Sequence, residues 1–281
     1  MKKFSRFYAE LLLLTYVSFL LVSCSGSTAR KQADQPSVKQ TESVGGEFAF
    51  NTDAATVLKD FKTWWSYHYQ NIHLSEDFVG LDVDSTVISK EQFLVELTYG
   101  KFIPIRMGFK DNVSSYKLHP LKNIHSAISF AMKDDADRLL KQYRMEGTQL
   151  PAFKFVDLEG KTYDRENTRG KTLVLKCWFI HCVACVEEFP ALNALVEEYK
   201  DRPDVLFVSL AMDQAPALKS FLDTRPFKYA VVADQDNFMT QELQATHFPT
   251  HLIVDKSGKI RKVVNRCDEM VPALKKLVAA S

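Results

Sequence analysis

The sequence has almost no excess of charge of either sign. Its 281 residues include 36 lysines and arginines against 35 aspartates and glutamates, which gives a formal net charge of +1. Because a nucleic-acid-binding surface normally needs a basic excess, the composition gives no support for a nucleic-acid partner. The hydrophobic fraction of 46% is sufficient for a substantial core, and the length allows more than one domain.

Cysteine is also scarce, since the chain contains only five. Cys182 and Cys185 form its single Cys-x-x-Cys pair, whereas a structural zinc site usually needs four ligands, often two such pairs. We therefore expect no bound metal and no other cofactor.

The Cys-x-x-Cys pair lies where a predicted strand meets a predicted helix. Residues 172–180 form an apolar run typical of a buried strand, and residues 183–199 have the pattern of the helix that follows. A helix N-terminus carries partial positive charge and unpaired N–H groups, which stabilise a thiolate at the first cysteine. This position favours a redox site over a chance pair of core cysteines. Pro190 is expected to kink the helix.

Strand and helix signals alternate in the C-terminal half of the chain. Strands are predicted at 152–156, 172–179, 205–210, 229–232, 250–254 and 260–264, and helices at 183–199, 216–223 and 268–279. This alternation predicts an α/β sheet with a parallel centre. Chemistry in such sheets is found at the carboxyl ends of the strands, where the cysteine pair falls.

Residues 173–190 (LVLKCWFIHCVACVEEFP) resemble the active-site segment of the TlpA/ResA-like, membrane-tethered thioredoxin family. Further matching segments, in the family's order, lie at 150–153, 157–161, 169–171 and 248–260. The resemblance covers about residues 147–280. It implies a thioredoxin fold, a central mixed sheet flanked by helices, and the activity of a thiol-disulfide oxidoreductase.

The predicted mechanism is thiol-disulfide exchange. Cys182, at the exposed start of the helix, is expected to attack a substrate disulfide, and Cys185 is expected to resolve the mixed disulfide. By resemblance, Glu188 is the acidic group that tunes proton movement near the dithiol; the alternative is a solvated helix carboxylate. The family favours a reductant of exported proteins or small disulfides, supplied with electrons by a membrane donor.

The proline loop is the second part of the predicted site. The resemblance implies that Pro249 is cis and faces the dithiol, and that the Phe248 backbone pairs with substrate, with Thr250 as its neighbour. His181, where the family often has tryptophan, either lowers the pKa of the adjacent thiol and contacts substrate or is an exposed loop residue. Lys176 also departs from the family, which often has asparagine there.

The N-terminus predicts export and lipid attachment. Residues 1–6 are basic, and residues 11–22 form a twelve-residue apolar stretch that is too short to span a bilayer comfortably. The sequence ending at Cys24 resembles a bacterial lipoprotein signal, which implies a signal peptide at 1–23 and acylation of Cys24. Residues 24–46 have few large apolar side chains and are predicted to be a flexible tether. The expected location is the bacterial cell envelope, with the thioredoxin domain, residues 147–281, in the periplasm.

Residues 47–146 are predicted to form a smaller, mainly helical accessory domain of unassigned role. Helices are expected at 53–72, from a capping box at Ser89 to Gly100, and at 122–145, with one strand at 102–107. The adjacent Trp64 and Trp65 are either core residues, as is more common, or a docking surface for a partner.

Two further cysteines and two alternative functions complete the prediction. Cys177 is interpreted as a buried core thiol, although a bridge to Cys267 is possible. A copper-binding chaperone would use the cysteine pair with His247 or His251. A peroxiredoxin-like peroxidase would share the fold but use a different cysteine motif.

Overall fold

The computed structural model describes residues 53–111, 113–123 and 126–280. The predicted signal peptide, Cys24 and the whole predicted tether therefore lie outside the described residues. Within those ranges, none of the helices combines the length and the apolar character required for a membrane span.

The C-terminal half is built around a five-stranded sheet with the strand order β11-β10-β7-β8-β9. Its strands are β7 (Thr172–Trp178), β8 (Val205–Ala211), β9 (Ala230–Val232), β10 (Thr250–Val254) and β11 (Ile260–Val264). Strands β7, β8 and β9 are parallel, while β10 is antiparallel to both β7 and β11. A separate hairpin consists of β5 (Lys154–Val156) and β6 (Thr162–Asp164), of which β6 was not predicted.

Four α-helices and one π-helix accompany this sheet in the part of the chain described. They are α5 (Val183–Glu187), α6 (Phe189–Glu198), α7 (Ala215–Leu222), the π-helix Phe238–Glu242 and α8 (Cys267–Ala279). The arrangement is the predicted thioredoxin fold. All seven residues of β7 are buried, which explains the nearly continuous apolar run in its sequence.

The predicted helix at 183–199 is in fact two helices, and this corrects the expectation of a kink at Pro190. Helix α5 ends at Glu187 and α6 begins at Phe189, so that Glu188 lies at the junction. Pro190 occupies the first turn of α6, where its missing N–H leaves no intrahelical hydrogen bond unmade. The proline therefore starts a helix instead of bending one.

The N-terminal segment contains more sheet than was predicted. Its helices are α1 (Ala54–Val57), α2 (Phe61–Asn71), α3 (Lys90–Thr98) and α4 (Ala127–Met145), and its strands are β1 (Phe78–Leu81), β2 (Val87–Ile88), β3 (Phe102–Lys110) and β4 (Val113–Pro120). The four strands form one sheet in the order β2-β1-β4-β3. Only β3 was predicted, whereas the capping box that opens α3 at Ser89 is present.

Trp64 and Trp65 have different environments. Trp64 is 1% exposed in the core that this segment forms, whereas Trp65 is 49% exposed. The core interpretation is therefore right for Trp64 and wrong for Trp65.

Helix α4 and the loop before β1 pack against β11 and α8 of the C-terminal half. The Ser75 hydroxyl donates to Glu269 at 2.8 Å, and Lys262 pairs with Glu146 at 3.3 Å. The two halves thus share a polar contact surface. A domain boundary between residues 146 and 147 stays a prediction.

Candidate active site

Cys182 and Cys185 are joined by a disulfide at the start of α5. Cys182 is the N-cap of that helix, and its sulfur accepts a hydrogen bond from the Cys185 backbone N–H at 3.2 Å. The two residues differ in access to solvent, since Cys182 is 8% exposed and Cys185 is fully buried. The expectation of an exposed Cys182 is therefore wrong, although Cys182 is the more accessible of the two residues.

The proline loop lies next to this disulfide because of the register of the sheet. Thr250, the first residue of β10, pairs with Cys177 near the carboxyl end of β7, so the residues before β10 reach the edge where α5 begins. The Phe248–Pro249 peptide bond is cis. Phe248 packs against the apolar cluster that contains both cysteines, and its ring meets Phe179 edge-on at 5.7 Å.

Two other predicted site residues have simpler surroundings. Thr250 is buried, and its hydroxyl donates to the His247 carbonyl at 2.6 Å. His181 is exposed and immediately precedes Cys182. Its prediction as a substrate contact stays a prediction.

Glu188 accepts hydrogen bonds from three donors at the junction of α5 and α6. One carboxylate oxygen accepts from Lys176 Nζ and from His251 Nε2, the latter at 2.9 Å, and the other accepts from the Cys267 backbone N–H at 2.8 Å. Lys176 and His251 are opposite each other in the β7–β10 pairing, and both side chains are completely buried. The alternative of a solvated helix carboxylate is therefore wrong.

The charges in this cluster follow from burial and from the partners. Burial alone would raise the pKa of Glu188, but His251 and Lys176 outweigh it and hold the pKa at about 2. Burial lowers the pKa values of Lys176 and His251, and Glu188 opposes part of each shift. Because the ionised Glu188 carboxylate can only accept, the neutral His251 ring carries its proton on Nε2, and its Nδ1 has no hydrogen-bond partner among the described residues.

Sequence reasoning did not find Lys176 and His251 as partners of Glu188. The available signal was a lysine within an otherwise apolar run, residues 173–178, because a buried ammonium group requires a partner. The identity of that partner depends on the pairing of β7 with β10, which the sequence pattern does not specify.

Cys177 and Cys267 are both free thiols, so the possible bridge between them is not formed. Cys177 is fully buried, as predicted, and burial raises its pKa to about 12. Burial and the nearby Glu188 carboxylate raise the pKa of Cys267 to about 11. Neither is an activated nucleophile.

The residues proposed for copper binding do not converge. His251 Nε2 faces Glu188, and His247 lies 3.4 Å from Asp134. In the described ranges, no group of three or more histidine, cysteine, aspartate or glutamate side chains could hold a metal ion.

A second polar cluster, also missed from the sequence, surrounds Asn265. Its amide nitrogen donates to the Pro249 carbonyl at 2.8 Å and to the Thr250 hydroxyl at 3.1 Å. Its amide oxygen accepts from Arg138 and from Gln142, the latter at 2.6 Å. Asn265 thus connects helix α4 with the proline loop.

A disulfide in a Cys-x-x-Cys sequence, at the N-terminus of the helix that follows the central strand of a thioredoxin fold, defines a class of protein. The members of that class are thiol-disulfide oxidoreductases, and this protein is one of them.

Comparison with known proteins narrows the class. The Redoxin family matches residues 145–277. Thiol-disulfide oxidoreductase ResA of Bacillus thuringiensis subsp. konkukian (strain 97-27) is 31% identical over 122 residues, 43% of this chain and 70% of the relative. Thioredoxin-like protein YneN of Bacillus subtilis (strain 168) is 28% identical over 120 residues, 42% of this chain and 70% of the relative.

Among solved structures, the thioredoxin domain of a thiol-disulfide oxidoreductase from Bacteroides vulgatus aligns with 47% of this chain and 96% of its own, at 23% identity and a TM-score of 0.43. On the similarity to ResA, the chain belongs to the ResA/TlpA-like family of thioredoxin-fold thiol-disulfide oxidoreductases.

Proposed function

We propose that this protein is an exported, lipid-anchored reductase that uses Cys182 and Cys185 to reduce disulfides in other exported proteins. The observation that carries the proposal is the unequal burial of the two cysteine residues at the start of α5. Cys182, the more accessible residue, is proposed to attack the substrate, and the fully buried Cys185 is proposed to resolve the mixed disulfide.

The exchange proceeds in two displacements. The Cys182 thiolate attacks one substrate sulfur, the substrate disulfide breaks, and the other substrate sulfur leaves and takes up a proton. Cys185 then loses its proton and displaces the first substrate sulfur from Cys182. The products are a substrate dithiol and the Cys182–Cys185 disulfide, so two electrons have passed to the substrate. A membrane electron donor restores the protein dithiol.

The helix terminus and Glu188 have opposite effects in this scheme. Partial positive charge and the Cys185 N–H favour the thiolate at Cys182. Glu188, with a pKa of about 2, is ionised at neutral pH, so in the oxidised protein it acts as a fixed negative charge and not as a proton carrier. We propose that this charge adds to that of the Cys182 thiolate and disfavours a second thiolate at Cys185. Once the mixed disulfide has formed, the charge on Cys182 is gone and Cys185 can ionise.

The proline loop supplies the substrate contact in this proposal. Phe248 lies between His247 and Pro249, whose carbonyl groups both accept hydrogen bonds from other residues of the protein. The backbone of Phe248 is therefore proposed to pair with an extended substrate segment, with Thr250 and the exposed His181 on either side.

Export and anchoring are proposed from the sequence of residues 1–46, and the thioredoxin domain is proposed to lie in the periplasm. The test is detergent phase partitioning of the protein expressed in bacteria. We expect the wild type in the detergent phase and Cys24→Ser in the aqueous phase. Equal partitioning of the two would refute lipid attachment at Cys24.

The exchange mechanism is tested with Cys185→Ala, Cys182→Ser and a protein disulfide such as insulin. Cys185→Ala should accumulate a mixed disulfide with insulin that reductant releases, and Cys182→Ser should form none. A covalent adduct on Cys185 in the Cys182→Ser variant would reverse the assigned roles.

A reduction potential of the Cys182–Cys185 pair near that of thioredoxin is expected for a reductant, whereas a strongly oxidising value would refute the proposed direction of electron flow.

A further inference from the structure

The N-terminal segment reaches the active site through one continuous chain of polar contacts. His68 of α2 lies 3.1 Å from Asp135 of α4, and Asp135 pairs with Arg138 one turn later in the same helix. Arg138 donates to the Asn265 amide oxygen, and the Asn265 amide nitrogen donates to the Pro249 carbonyl at 2.8 Å. This series of polar contacts therefore runs from α2 to Pro249, the residue after the cis peptide bond.

Each member of the chain is oriented by its neighbours. The side chains of His68, Asp135 and Arg138 are 11%, 23% and 18% exposed, so solvent competes weakly for their hydrogen bonds. Burial would raise the pKa of Asp135, but His68 and Arg138 hold it at about 2, so the carboxylate stays charged and keeps Arg138 in place. The two donors on the Asn265 oxygen also fix which way the amide points.

Asn265 acts on the backbone on both sides of Phe248. Besides the Pro249 carbonyl, its nitrogen lies 3.4 Å from the His247 carbonyl, which also accepts the Thr250 hydroxyl at 2.6 Å. Helix α4 makes a second contact with the same loop through Asp134, 3.4 Å from His247. Both contacts attach the loop to helix α4, one through Asn265 and the other directly.

We infer that the N-terminal segment supports the proline loop of the oxidoreductase, with Arg138 and Asn265 as positioning residues for substrate binding. Neither residue touches the reacting sulfurs. Their effect is to hold the backbone at Phe248 in the geometry that an extended protein substrate requires. This inference rests on the proposed function, because it assumes that the loop binds substrate.

The decisive substitution is Asn265→Asp, which keeps the size of the side chain. A carboxylate still accepts from Arg138 and Gln142, so a residue that only joins α4 to the C-terminal half would tolerate the change. A carboxylate cannot donate to the Pro249 carbonyl, however, so a positioning residue would not. Arg138→Met is the second variant, because it leaves Asn265 intact but removes the group that orients it. Lys133→Met is the matched control, since Lys133 is an exposed cation of the same helix whose ammonium group pairs with Asp137.

The experiment uses the full chain in its reduced form, mixed with increasing concentrations of insulin or of dithiobis(nitrobenzoate), a small aromatic disulfide. For insulin, we expect Asn265→Asp to raise the half-saturating concentration roughly tenfold, because the hydrogen bond from the side chain to the Pro249 carbonyl is lost. The maximal rate should change less than about twofold. Arg138→Met should have a smaller effect of the same kind. The small disulfide should react at wild-type rates with all variants, and Lys133→Met should match the wild type throughout.

The outcomes separate this inference from the proposed function. Wild-type half-saturation in Asn265→Asp would overturn the inference, and so would an equal loss of rate with both disulfides, which would indicate general misfolding or a change at the dithiol. If Asn265→Asp does not fold, Arg138→Met decides the question by the same criteria. Failure of the wild type to reduce insulin any faster than Cys182→Ser would instead refute the proposed function.

Discussion

Replacing Glu188 by glutamine should strongly destabilise the oxidised protein. Glutamine has nearly the same shape as glutamate, but it removes the negative charge that Lys176 and His251 share. Because both of those side chains are completely buried, water cannot take over the role of the carboxylate. His251 can remain neutral, so the penalty falls mainly on Lys176.

Two limits set the size of the penalty. If Lys176 keeps its charge, a buried ion without a partner costs about 3–5 kcal/mol. If Lys176 releases its proton, the cost is set by the difference between pH 7 and the ordinary lysine pKa of 10.5. At about 1.4 kcal/mol per pH unit, that difference costs about 5 kcal/mol. The variant takes the cheaper route, so we expect a loss of about 3–5 kcal/mol.

The pH dependence has a definite sign. As pH rises above 7, release of the Lys176 proton becomes the cheaper route, because its cost falls by about 1.4 kcal/mol per pH unit. A neutral Lys176 in the folded variant then binds one proton fewer than the lysine of the unfolded chain, so stability rises as pH increases toward 10.5. Between pH 7 and pH 9, the difference in stability from the wild type should therefore narrow, by at most about 3 kcal/mol.

Urea unfolding of the oxidised protein at pH 7 and pH 9 measures both quantities. Lys176→Met combined with Glu188→Gln is the informative control, because removing both charges should recover most of the lost stability. A penalty below about 1 kcal/mol, typical of an exposed ion pair, would refute the assignment of a buried one. A double variant no more stable than Glu188→Gln alone would refute the assignment of the penalty to Lys176.

Three other predictions concern packing, backbone conformation and thiol reactivity. Trp64→Ala should cost about 3–5 kcal/mol in urea unfolding, and Trp65→Ala, at a half-exposed site, less than about 1 kcal/mol; similar losses would contradict the difference in burial. Gly100→Ala should lower stability by at least about 1 kcal/mol, because Gly100 has a φ of +64° and a Cβ there would lie 2.8 Å from a hydroxyl oxygen. Iodoacetamide should label Cys267 slowly and Cys177 only after unfolding, as mass spectrometry of the oxidised protein would show.

Sequence patterns predicted the C-terminal fold well where local signals were strong. Strands β10 and β11 have the predicted bounds, since both are short segments rich in valine and isoleucine, separated by a turn with Asp255 and Gly258. Strands β1 and β2, of four and two residues, are too short for a periodic signal, and β4 contains polar residues such as Ser114 and Ser115 that are buried only in context.

The residues of the candidate site also fall into two groups, those that local motifs predict and those that long-range contacts bring together. Cys182, Cys185 and Pro249 belong to short motifs, so their positions followed from local sequence and from the family resemblance. The three donors to Glu188 lie 12, 63 and 79 residues away in the chain, and the contact between Asn265 and Arg138 spans 127 residues. Such contacts depend on strand register and on helix packing, which one sequence does not specify.

The turn between β11 and α8 brings the two polar clusters within three residues of each other. Asn265 holds the proline loop, and the backbone N–H of Cys267 donates to Glu188. A shift of this turn would therefore change both the loop and the support of Glu188. We expect the two clusters to be energetically coupled, although they contact different parts of the site.

A double-mutant cycle tests this coupling. One arm is the pair Lys176→Met and Glu188→Met, which leaves no unpaired lysine and removes the acceptor of the Cys267 N–H; the other arm is Asn265→Ala. Because sites in one network are non-additive, the free energies of unfolding should differ from their sum by at least about 0.5 kcal/mol. Additivity within about 0.3 kcal/mol would mean that the turn supports each cluster separately. The N-terminal segment would then act on the proline loop alone and not on the charge beside the dithiol.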